Sequence, residues 1–228
     1  MKKIQIVIPS AGRGSRFIGS VWKEPKPMIS WDGKSMVEHV IDNFRSENSD
    51  IVVVKKREHP DPSVRCVNVD YVTDGPATTA YLAKELLDPE LELIITNCDQ
   101  IIKDWDESRF LSHARKYEAA LGCFISTSEK NSYVKLDQDG YVSLVKEKEV
   151  ISNIATNGVH YWKKAKYFFD SYDRMRADGE TYKGEYYIAP SYNYLINDGF
   201  KIGVFLFNEH YPIGTPDDLD LYLNSINV

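Results

Sequence analysis

The first half of the chain alternates between short apolar runs and longer stretches in which apolar residues recur every three or four positions. The runs are almost continuously apolar, as at residues 51–54, which is typical of strands covered on both faces. The stretches with helical spacing, such as residues 36–44, predict amphipathic helices. Strands alternating with helices favour βαβ units and a parallel sheet. We expect strands at residues 4–8, 51–54, 64–72, 91–96 and 119–126, and helices at residues 36–44, 78–87 and 104–117.

The second half of the chain has a different pattern. Two strand-like segments, at residues 133–136 and 141–145, flank Asp137-Gln138-Asp139-Gly140, a turn sequence that predicts a β-hairpin. Further strands are expected at residues 156–162 and 202–207, and further helices at residues 163–177, 188–197 and 215–226. We predict one domain over residues 1–228, made of two halves, 1–126 and 127–228. Its fold class is α/β: three α/β/α layers, a mostly parallel Rossmann-like sheet and a small antiparallel C-terminal region.

Composition and charge disfavour several classes of protein. The net charge is −6 and the chain has no long block of Lys and Arg, so nucleic acid is not an expected partner. No apolar run approaches the ~20 residues that a membrane-spanning helix needs, and the run that ends at Pro9 is too short for a signal peptide. Cys66, Cys98 and Cys123 lack C-x-x-C spacing and are expected to be free thiols. We therefore expect a cytoplasmic protein with no membrane partner; the pattern does not indicate an oligomeric state.

The loop after the first strand has the composition of a phosphate-binding site. Gly12 and Gly14 allow backbone N–H groups to approach a ligand, and Arg13 and Arg16 add cationic donors. Lys26 stands between two prolines, which are expected to hold its backbone extended and stiff. We predict that these groups bind a polyphosphate. The alternatives are a plain turn for the glycines and solvated side chains for the cations.

Two better-known glycine motifs do not match this loop. The dinucleotide fingerprint G-x-G-x-x-G requires a glycine where Phe17 stands, and the P-loop requires one where Met28 stands.

A metal site is predicted at Asp99, which follows an apolar strand. Ligands bind at the carboxyl ends of strands in open α/β sheets, and Mg²⁺ prefers oxygen ligands shared with substrate phosphates. A turn or helix cap is the alternative role for Asp99.

The sequence I-V-I-P-S-A-G-R-G-S-R-F at residues 6–17, followed by P-K-P-M at residues 25–28, resembles the signature of the sugar-phosphate nucleotidylyltransferases. That signature is roughly L-A-G-G-x-G-T-R-L, then P-K-P, and this chain has small replacements at Ala11 and Ser15. The form A-G-x-G-S-R-F looks like the branch associated with capsule and surface polysaccharides. The resemblance implies a nucleotide-diphospho-sugar transferase-like fold. It also implies magnesium-dependent transfer of a nucleoside monophosphate from an NTP to a phosphorylated acceptor, with release of pyrophosphate.

The resemblance also implies roles for individual residues, and it divides the chain into a nucleotide-binding half, 1–126, and an acceptor-binding half, 127–228. Arg16 would neutralise the departing pyrophosphate, and Lys26 would bridge the α-phosphate and the acceptor phosphate. The other implied residues are Ser10, Ala11, Gly12, Arg13, Gly14, Gly75 and Thr78 for the nucleotide, Glu147, Lys148, Gly158 and Glu185 for the acceptor, and Asp99 for the metal. Asp217 is a candidate second metal ligand, although Thr215, Pro216 and Asp218 equally predict a helix start there.

Two other functions fit parts of the sequence. A glycosyltransferase of related fold would need a D-x-D metal motif, and Asp137-Gln138-Asp139 matches it in letters but is expected to form a hairpin turn. A non-catalytic nucleotide sensor would not need Arg16, Lys26 and Asp99 together. We expect His160 to be a hydrogen-bonded core residue. A pyrimidine nucleotide is favoured, and the acceptor is a sugar 1-phosphate or a non-sugar phosphate such as phosphocholine.

Overall fold

The computed structural model describes residues 3–226, with thirteen strands and six α-helices in that range. In chain order the strands are β1 (Ile4–Ser10), β2 (Ser30–Trp31), β3 (Lys34–Ser35), β4 (Ser49–Lys56), β5 (Arg65–Val69), β6 (Leu93–Thr96), β7 (Gln100–Ile102), β8 (Ala119–Ile125), β9 (Tyr133–Leu136), β10 (Val142–Lys146), β11 (Ile154–Trp162), β12 (Ile202–Leu206) and β13 (His210–Pro212). The helices are α1 (Met36–Phe44), α2 (Pro76–Tyr81), α3 (Glu107–Ala114), α4 (Ala165–Asp178), α5 (Tyr192–Asn197) and α6 (Pro216–Ile226). Single 3₁₀ turns occur at Ser15–Phe17, Lys26–Met28, Lys84–Leu86 and Ala189–Ser191.

A nine-stranded sheet forms the middle layer. Its order is β10-β9-β11-β6-β1-β4-β5, and β8 and β12 continue it beyond β11. Strands β5, β4, β1 and β6 are parallel, whereas β11 is antiparallel to both β6 and β8. Because β1 and β6 are parallel, the loops that follow them leave the same edge of the sheet. The phosphate-type loop and Asp99 therefore lie side by side.

Helices cover both faces of this sheet. Helices α2, α4 and α5 pack on one face over apolar residues that include Val7 and Ile95. Helices α1, α3 and α6 pack on the other face over residues that include Ile6 and Ile94. This three-layer arrangement confirms the predicted fold class. Among residues 3–226, none of the helices has the length and apolar character that crossing a bilayer requires.

Helices α2, α3 and α5 begin elsewhere than the apolar pattern indicated; α5 begins at Tyr192, after the 3₁₀ turn Ala189–Ser191, instead of at residue 188. Helix α2 begins at Pro76, because proline fits the first helical position, and it ends at Tyr81 instead of residue 87. Helix α3 begins at Glu107, because the Asp106 carboxylate accepts a 3.0 Å hydrogen bond from the Arg109 backbone N–H and caps the helix there.

The pairing of β7 with β13 was not predicted from the sequence. These three-residue strands are antiparallel and form a separate small sheet. They are too short to produce a recognisable hydrophobic pattern. Beside them, the Ile213 backbone N–H donates a 2.9 Å hydrogen bond to the Asp99 carbonyl. The segment before α6 therefore packs directly against the candidate metal ligand.

Candidate functional site

A pocket opens at the carboxyl edge of β1 and β6. Its walls come from both halves of the chain: the loop after β1, the turn that holds Lys26, the start of α2, the β9–β10 region, β11 and the segment before α5. Ten of the fifteen residues predicted from the sequence line it, namely Ser10, Gly12, Arg13, Lys26, Gly75, Asp99, Glu147, Lys148, Gly158 and Glu185. The other five, Ala11, Gly14, Arg16, Thr78 and Asp217, do not line it.

Lys26 and Asp99 form an ion pair at one end of the pocket. Lys26 Nζ lies 2.8 Å from Asp99 Oδ2, and the two side chains are only 18% and 19% exposed. Burial lowers the pKa of Lys26, but the adjacent Asp99 carboxylate offsets this and the pKa is raised overall. Burial likewise raises the pKa of Asp99, while Lys26 and Arg16 together lower it below its ordinary value. Both groups are therefore charged at neutral pH.

Arg16 lies beside this pair although its side chain is exposed. A Cβ atom at Gly214 would lie 2.6 Å from Asp99 Oδ2 and 3.7 Å from Arg16 Nη1, so all three residues meet at one point. The positive charge of Arg16 also opposes the raised pKa of Tyr187, which burial and Glu185 produce. Arg16 is thus close enough to interact electrostatically with Asp99 and with Tyr187 of the acceptor half.

Only part of the glycine loop, residues 10–16, lines the pocket. Gly14 has a left-handed backbone with φ 62°, and a Cβ there would lie 2.9 Å from Lys26 Cβ. Gly14 therefore packs the loop against Lys26 and does not face the pocket. Ala11 is fully buried in the core, so only its backbone can contribute to a ligand site. Gly12 and Arg13 remain exposed at the pocket edge.

The backbone around Lys26 is not extended, contrary to the prediction from its two prolines. Lys26–Met28 forms a single 3₁₀ turn, in which the Met28 N–H donates a 2.7 Å hydrogen bond to the Pro25 carbonyl. The fixed φ of Pro27 is compatible with such a turn, because proline is tolerated in the first turn of a helix. Lys26 is thus positioned by a closed turn.

Gly75 and Thr79 line the pocket, whereas Thr78 does not. Gly75 has φ 134°, and a Cβ there would lie 2.4 Å from the Tyr186 carbonyl oxygen. The glycine thus allows the segment that leads to α5 to cross the start of α2. Thr78 was predicted to bind nucleotide, but its hydroxyl accepts a 2.8 Å hydrogen bond from Tyr172 of α4. Thr79, one position along the helix, lines the pocket.

The acceptor end of the pocket is a chain of paired polar groups. The Glu147 carboxylate, 7% exposed, accepts a hydrogen bond from the Ser132 hydroxyl and lies 3.6 Å from Lys148 Nζ. Burial raises the pKa of Glu147 despite these partners. Lys148 Nζ donates to the Tyr187 hydroxyl at 2.7 Å, and that hydroxyl donates to Glu185 at 3.0 Å. Glu147, Lys148 and Glu185 are thus brought together as the sequence suggested.

A sequence model of the MobA-like NTP transferase domain matches residues 6–155. The chain belongs to this family. The expectation of a nucleotide-transferring family is thereby confirmed, and the capsule-associated branch stays a prediction.

The curated relatives of this chain have low sequence identity to it. The chain is 25% identical to the bifunctional protein GlmU of Methanocaldococcus jannaschii in an alignment 223 residues long that covers 93% of this chain and 52% of that protein. It is 29% identical over 76 residues to a probable molybdenum cofactor guanylyltransferase of Bacillus cereus, covering 33% of this chain and 36% of that protein. The chain therefore spans about half the length, or less, of these curated relatives.

Solved structures of low sequence identity share the fold of the transferase domain. A nucleoside-diphosphate-sugar pyrophosphorylase from Vibrio cholerae RC9 superposes with a TM-score of 0.84 at 23% identity, covering 96% of this chain and 99% of that one. The inositol-1-phosphate CTP transferase from T. maritima gives a TM-score of 0.75 at 17% identity, covering 99% of this chain and 94% of that one. These likenesses show the fold alone.

Of the two predicted metal ligands, both within residues 3–226, Asp99 lines the pocket and Asp217 does not. Within residues 3–226, no three His, Cys, Asp or Glu side chains are grouped closely enough to hold one. Asp217 is exposed on the first turn of α6 and does not line the pocket. Asp218 is used by the helix itself, since it exchanges hydrogen bonds with Thr215 at 2.6 and 3.2 Å. A single carboxylate is compatible with Mg²⁺, which usually takes one or two carboxylates together with substrate phosphates.

Several residues that line the pocket were not predicted from the sequence. Asn97 lines the pocket and packs over Gly158, where a Cβ atom would lie 2.2 Å from Asn97 Nδ2. His160 was expected to be hydrogen-bonded in the core, but it lines the pocket and its Nδ1 has no hydrogen-bond partner in the described chain. Thr79 and Tyr187 also line it. Asn97 could have been predicted, because it lies two residues before Asp99 at a strand end. Whether His160 and Tyr187 face the pocket depends on packing between distant segments.

Proposed function

We propose that this chain transfers a nucleoside monophosphate from an NTP to a phosphorylated small molecule and releases pyrophosphate. An acceptor phosphate oxygen attacks the α-phosphorus in line, the bond to the β-phosphate oxygen breaks, and pyrophosphate leaves. The attacking oxygen is already anionic, so no general base is needed. Catalysis then consists of alignment and of neutralising charge on the phosphates.

The convergence of Arg16, Lys26 and Asp99 at one edge of the pocket carries this proposal. Two cations and one carboxylate meet there beside the exposed backbone of Gly12, and Lys148 lies at the acceptor end of the same pocket. Lys26 and Arg16 would bind the triphosphate, and Lys148 would bind the acceptor phosphate. Mg²⁺ held by Asp99 would supply further charge neutralisation on the phosphates. The hairpin Asp137 and Asp139 are exposed and outside this pocket, which disfavours the glycosyltransferase alternative.

We infer a sugar 1-phosphate as the first acceptor to test and a pyrimidine nucleotide as the first NTP. Two kinds of structural neighbour support this choice: an inositol-1-phosphate CTP transferase and UDP-glucose pyrophosphorylases. The A-G-x-G-S-R-F form of the loop further supports a role in the synthesis of surface-polysaccharide precursors.

The test measures pyrophosphate release with each of CTP, UTP, dTTP, ATP and GTP against a panel of acceptors. The panel contains hexose 1-phosphates, myo-inositol 1-phosphate and phosphocholine, each with Mg²⁺ or with EDTA. We expect pyrophosphate only when an NTP, an acceptor and Mg²⁺ are all present. If no combination releases pyrophosphate and the protein instead consumes a nucleotide sugar, the proposal is wrong and the chain is a glycosyltransferase.

Gly158 provides a test of pocket geometry with a matched control. Gly158 and Gly140 have the same φ of 83°, but a Cβ at Gly140 meets nothing within 4 Å. Both alanine variants pay a similar conformational cost, roughly 1–2 kcal/mol, and only Gly158→Ala displaces the Asn97 side chain. We expect a larger loss in the free energy of unfolding by urea for Gly158→Ala, which must also move Asn97, and a fall in turnover of up to about 10²-fold in that variant alone. Equal turnover in the two variants would show that the position of Asn97 does not matter.

A further inference from the structure

His160 is a buried histidine with an unmatched nitrogen in the wall of the pocket. It lies within β11, is 3% exposed and contributes to the pocket lining. Its Nδ1 has no hydrogen-bond partner among residues 3–226. A buried polar atom without a partner is destabilising, and such atoms are rare in native structures. Nδ1 itself is enclosed, so a ligand in the pocket would reach the ring through Nε2, which is not among the enclosed atoms.

The surroundings of His160 hold its ring in the pocket wall. His160 pairs with Ile95 across β11 and β6, so its side chain lies on the sheet face that α2, α4 and α5 cover. The rings of Trp162 and Tyr192 lie with their centroids 6.1 and 5.8 Å from the imidazole. Ile188 and Ala189, which directly follow Tyr187, line the same pocket. The ring is thus held by packing next to the segment that carries the Lys148–Tyr187–Glu185 chain.

The chemistry of this ring is that of a neutral hydrogen-bonding group. Burial lowers the pKa of His160 to about 3, so the imidazole is uncharged at working pH. It then offers one donor and one acceptor and no charge. A neutral imidazole with so low a pKa is not suited to acid–base catalysis near pH 7. Its Nε2 can hydrogen-bond a neutral polar group such as a hydroxyl, which either donates to this nitrogen or accepts from it.

The aromatic rings nearby are not free to bind a quaternary ammonium group. Lys148 Nζ lies 4.3 Å from the centroid of the Tyr187 ring and 5.0 Å from that of Tyr182. A ligand cation would have to displace this ammonium, since both would compete for the same ring faces. The pocket therefore disfavours choline-like acceptors.

We propose that His160 is a specificity-determining residue that hydrogen-bonds a hydroxyl of the acceptor, which is accordingly a hydroxyl-bearing sugar or polyol phosphate. This inference rests on the proposed function, because it assigns the non-phosphate part of the same acceptor. It adds that the preference for hydroxylated acceptors over phosphocholine depends on one uncharged side chain in the pocket wall.

The test is a binding measurement that does not depend on turnover. Isothermal titration calorimetry is performed on the wild-type chain and on His160→Phe with α-D-glucose 1-phosphate, myo-inositol 1-phosphate, phosphocholine and inorganic phosphate. We expect wild type to bind at least one hydroxylated probe more than about tenfold more tightly than phosphocholine or inorganic phosphate. His160→Phe should lose most of that preference and bind inorganic phosphate unchanged. His160→Gln, which keeps a donor and an acceptor, should retain most of it.

A second histidine serves as the control for ring replacement. His113 of α3 also has a buried nitrogen, Nε2, without a hydrogen-bond partner in the described chain, but it does not line the pocket. His113→Phe should leave all four affinities unchanged. If His160→Phe does not fold, the wild-type chain is titrated with the deoxy analogues of glucose 1-phosphate, one of which should lose the preference.

The inference is overturned if phosphocholine binds as tightly as the hydroxylated probes, if His160→Phe keeps the preference, or if no deoxy analogue loses it. Failure of the proposed function has a different signature. In that case the hydroxylated probes bind with the His160-dependent preference, but no NTP yields pyrophosphate with any of them.

Discussion

Replacing Lys26 with methionine is expected to lower kcat by about 10²–10³-fold. Methionine keeps an unbranched side chain of similar length in the closed turn, so the substitution removes the ammonium group with little loss of packing. Without it, one of the two cations near Asp99 no longer neutralises charge on the phosphates as the bond to pyrophosphate breaks. The measurement is steady-state pyrophosphate release at saturating NTP and acceptor, with circular dichroism to verify folding.

Lys23→Met is the matched control for this experiment. Lys23 lies three residues away, is exposed, and donates its hydrogen bond to the Ser20 carbonyl at 3.0 Å. It does not line the pocket. Its loss should leave kcat unchanged. A Lys26→Met variant with near wild-type kcat would mean that Lys26 is only a structural partner of Asp99.

The second large effect is expected from Asp99→Asn, which should reduce Mg²⁺-dependent turnover by about 10³-fold. Asparagine has nearly the same shape and can still accept a hydrogen bond from Lys26. It lacks the negative charge that a carboxylate ligand offers to Mg²⁺. The assay is turnover as a function of Mg²⁺ concentration, and Asp139→Asn in the exposed hairpin is the control. Full activity of Asp99→Asn, or loss of activity in Asp139→Asn, would refute the assignment of the metal ligand.

The stability of these variants separates a folding role from a catalytic one. Breaking a fully buried ion pair costs about 3–5 kcal/mol, because one charge is left unpaired, and this pair is partly exposed, so the losses should be smaller. The double variant Lys26→Met/Asp99→Asn removes both charges of the pair, so neither partner is left as an unpaired charge. We expect its loss in unfolding free energy to be smaller than the sum of the two single losses, as measured in urea at pH 7.

The choice of pH 7 follows from the two shifted pKa values. The Asp99 pKa lies below its ordinary 3.8, so its contribution to stability is present above that value and is lost as the pH falls through the folded-state pKa. The Lys26 pKa lies above its ordinary 10.5, so its contribution is present below that value and is lost as the pH rises through the folded-state pKa. Neutral pH lies between these limits.

Much of the fold was predictable because local patterns agreed with the tertiary arrangement. The apolar run of β4 and the helical spacing of α1 depend on residues close in sequence, and both elements formed where predicted. The position of Asp99 was predictable for a related reason. A polar residue at the end of a buried parallel strand is carried to the sheet edge by the strand itself.

The roles of neighbouring residues within a motif were harder to predict. Thr78 and Thr79 are adjacent and chemically alike, yet only Thr79 lines the pocket, because a helix turns about 100° per residue. Gly14 looked like a phosphate contact, but its missing side chain makes room for Lys26. Which face each residue presents depends on what packs against it.

The sequence by itself determined the layered α/β fold, the phosphate-type loop and the carboxylate at the strand end, since each follows from local composition and spacing. Only the tertiary structure decided that Lys26 pairs with Asp99, that Tyr187 joins Lys148 to Glu185, and that His160 faces the pocket. Lys26 and Asp99 are 73 positions apart. Contacts over such separations are set by how strands and loops pack together, and local patterns carry no information about that packing.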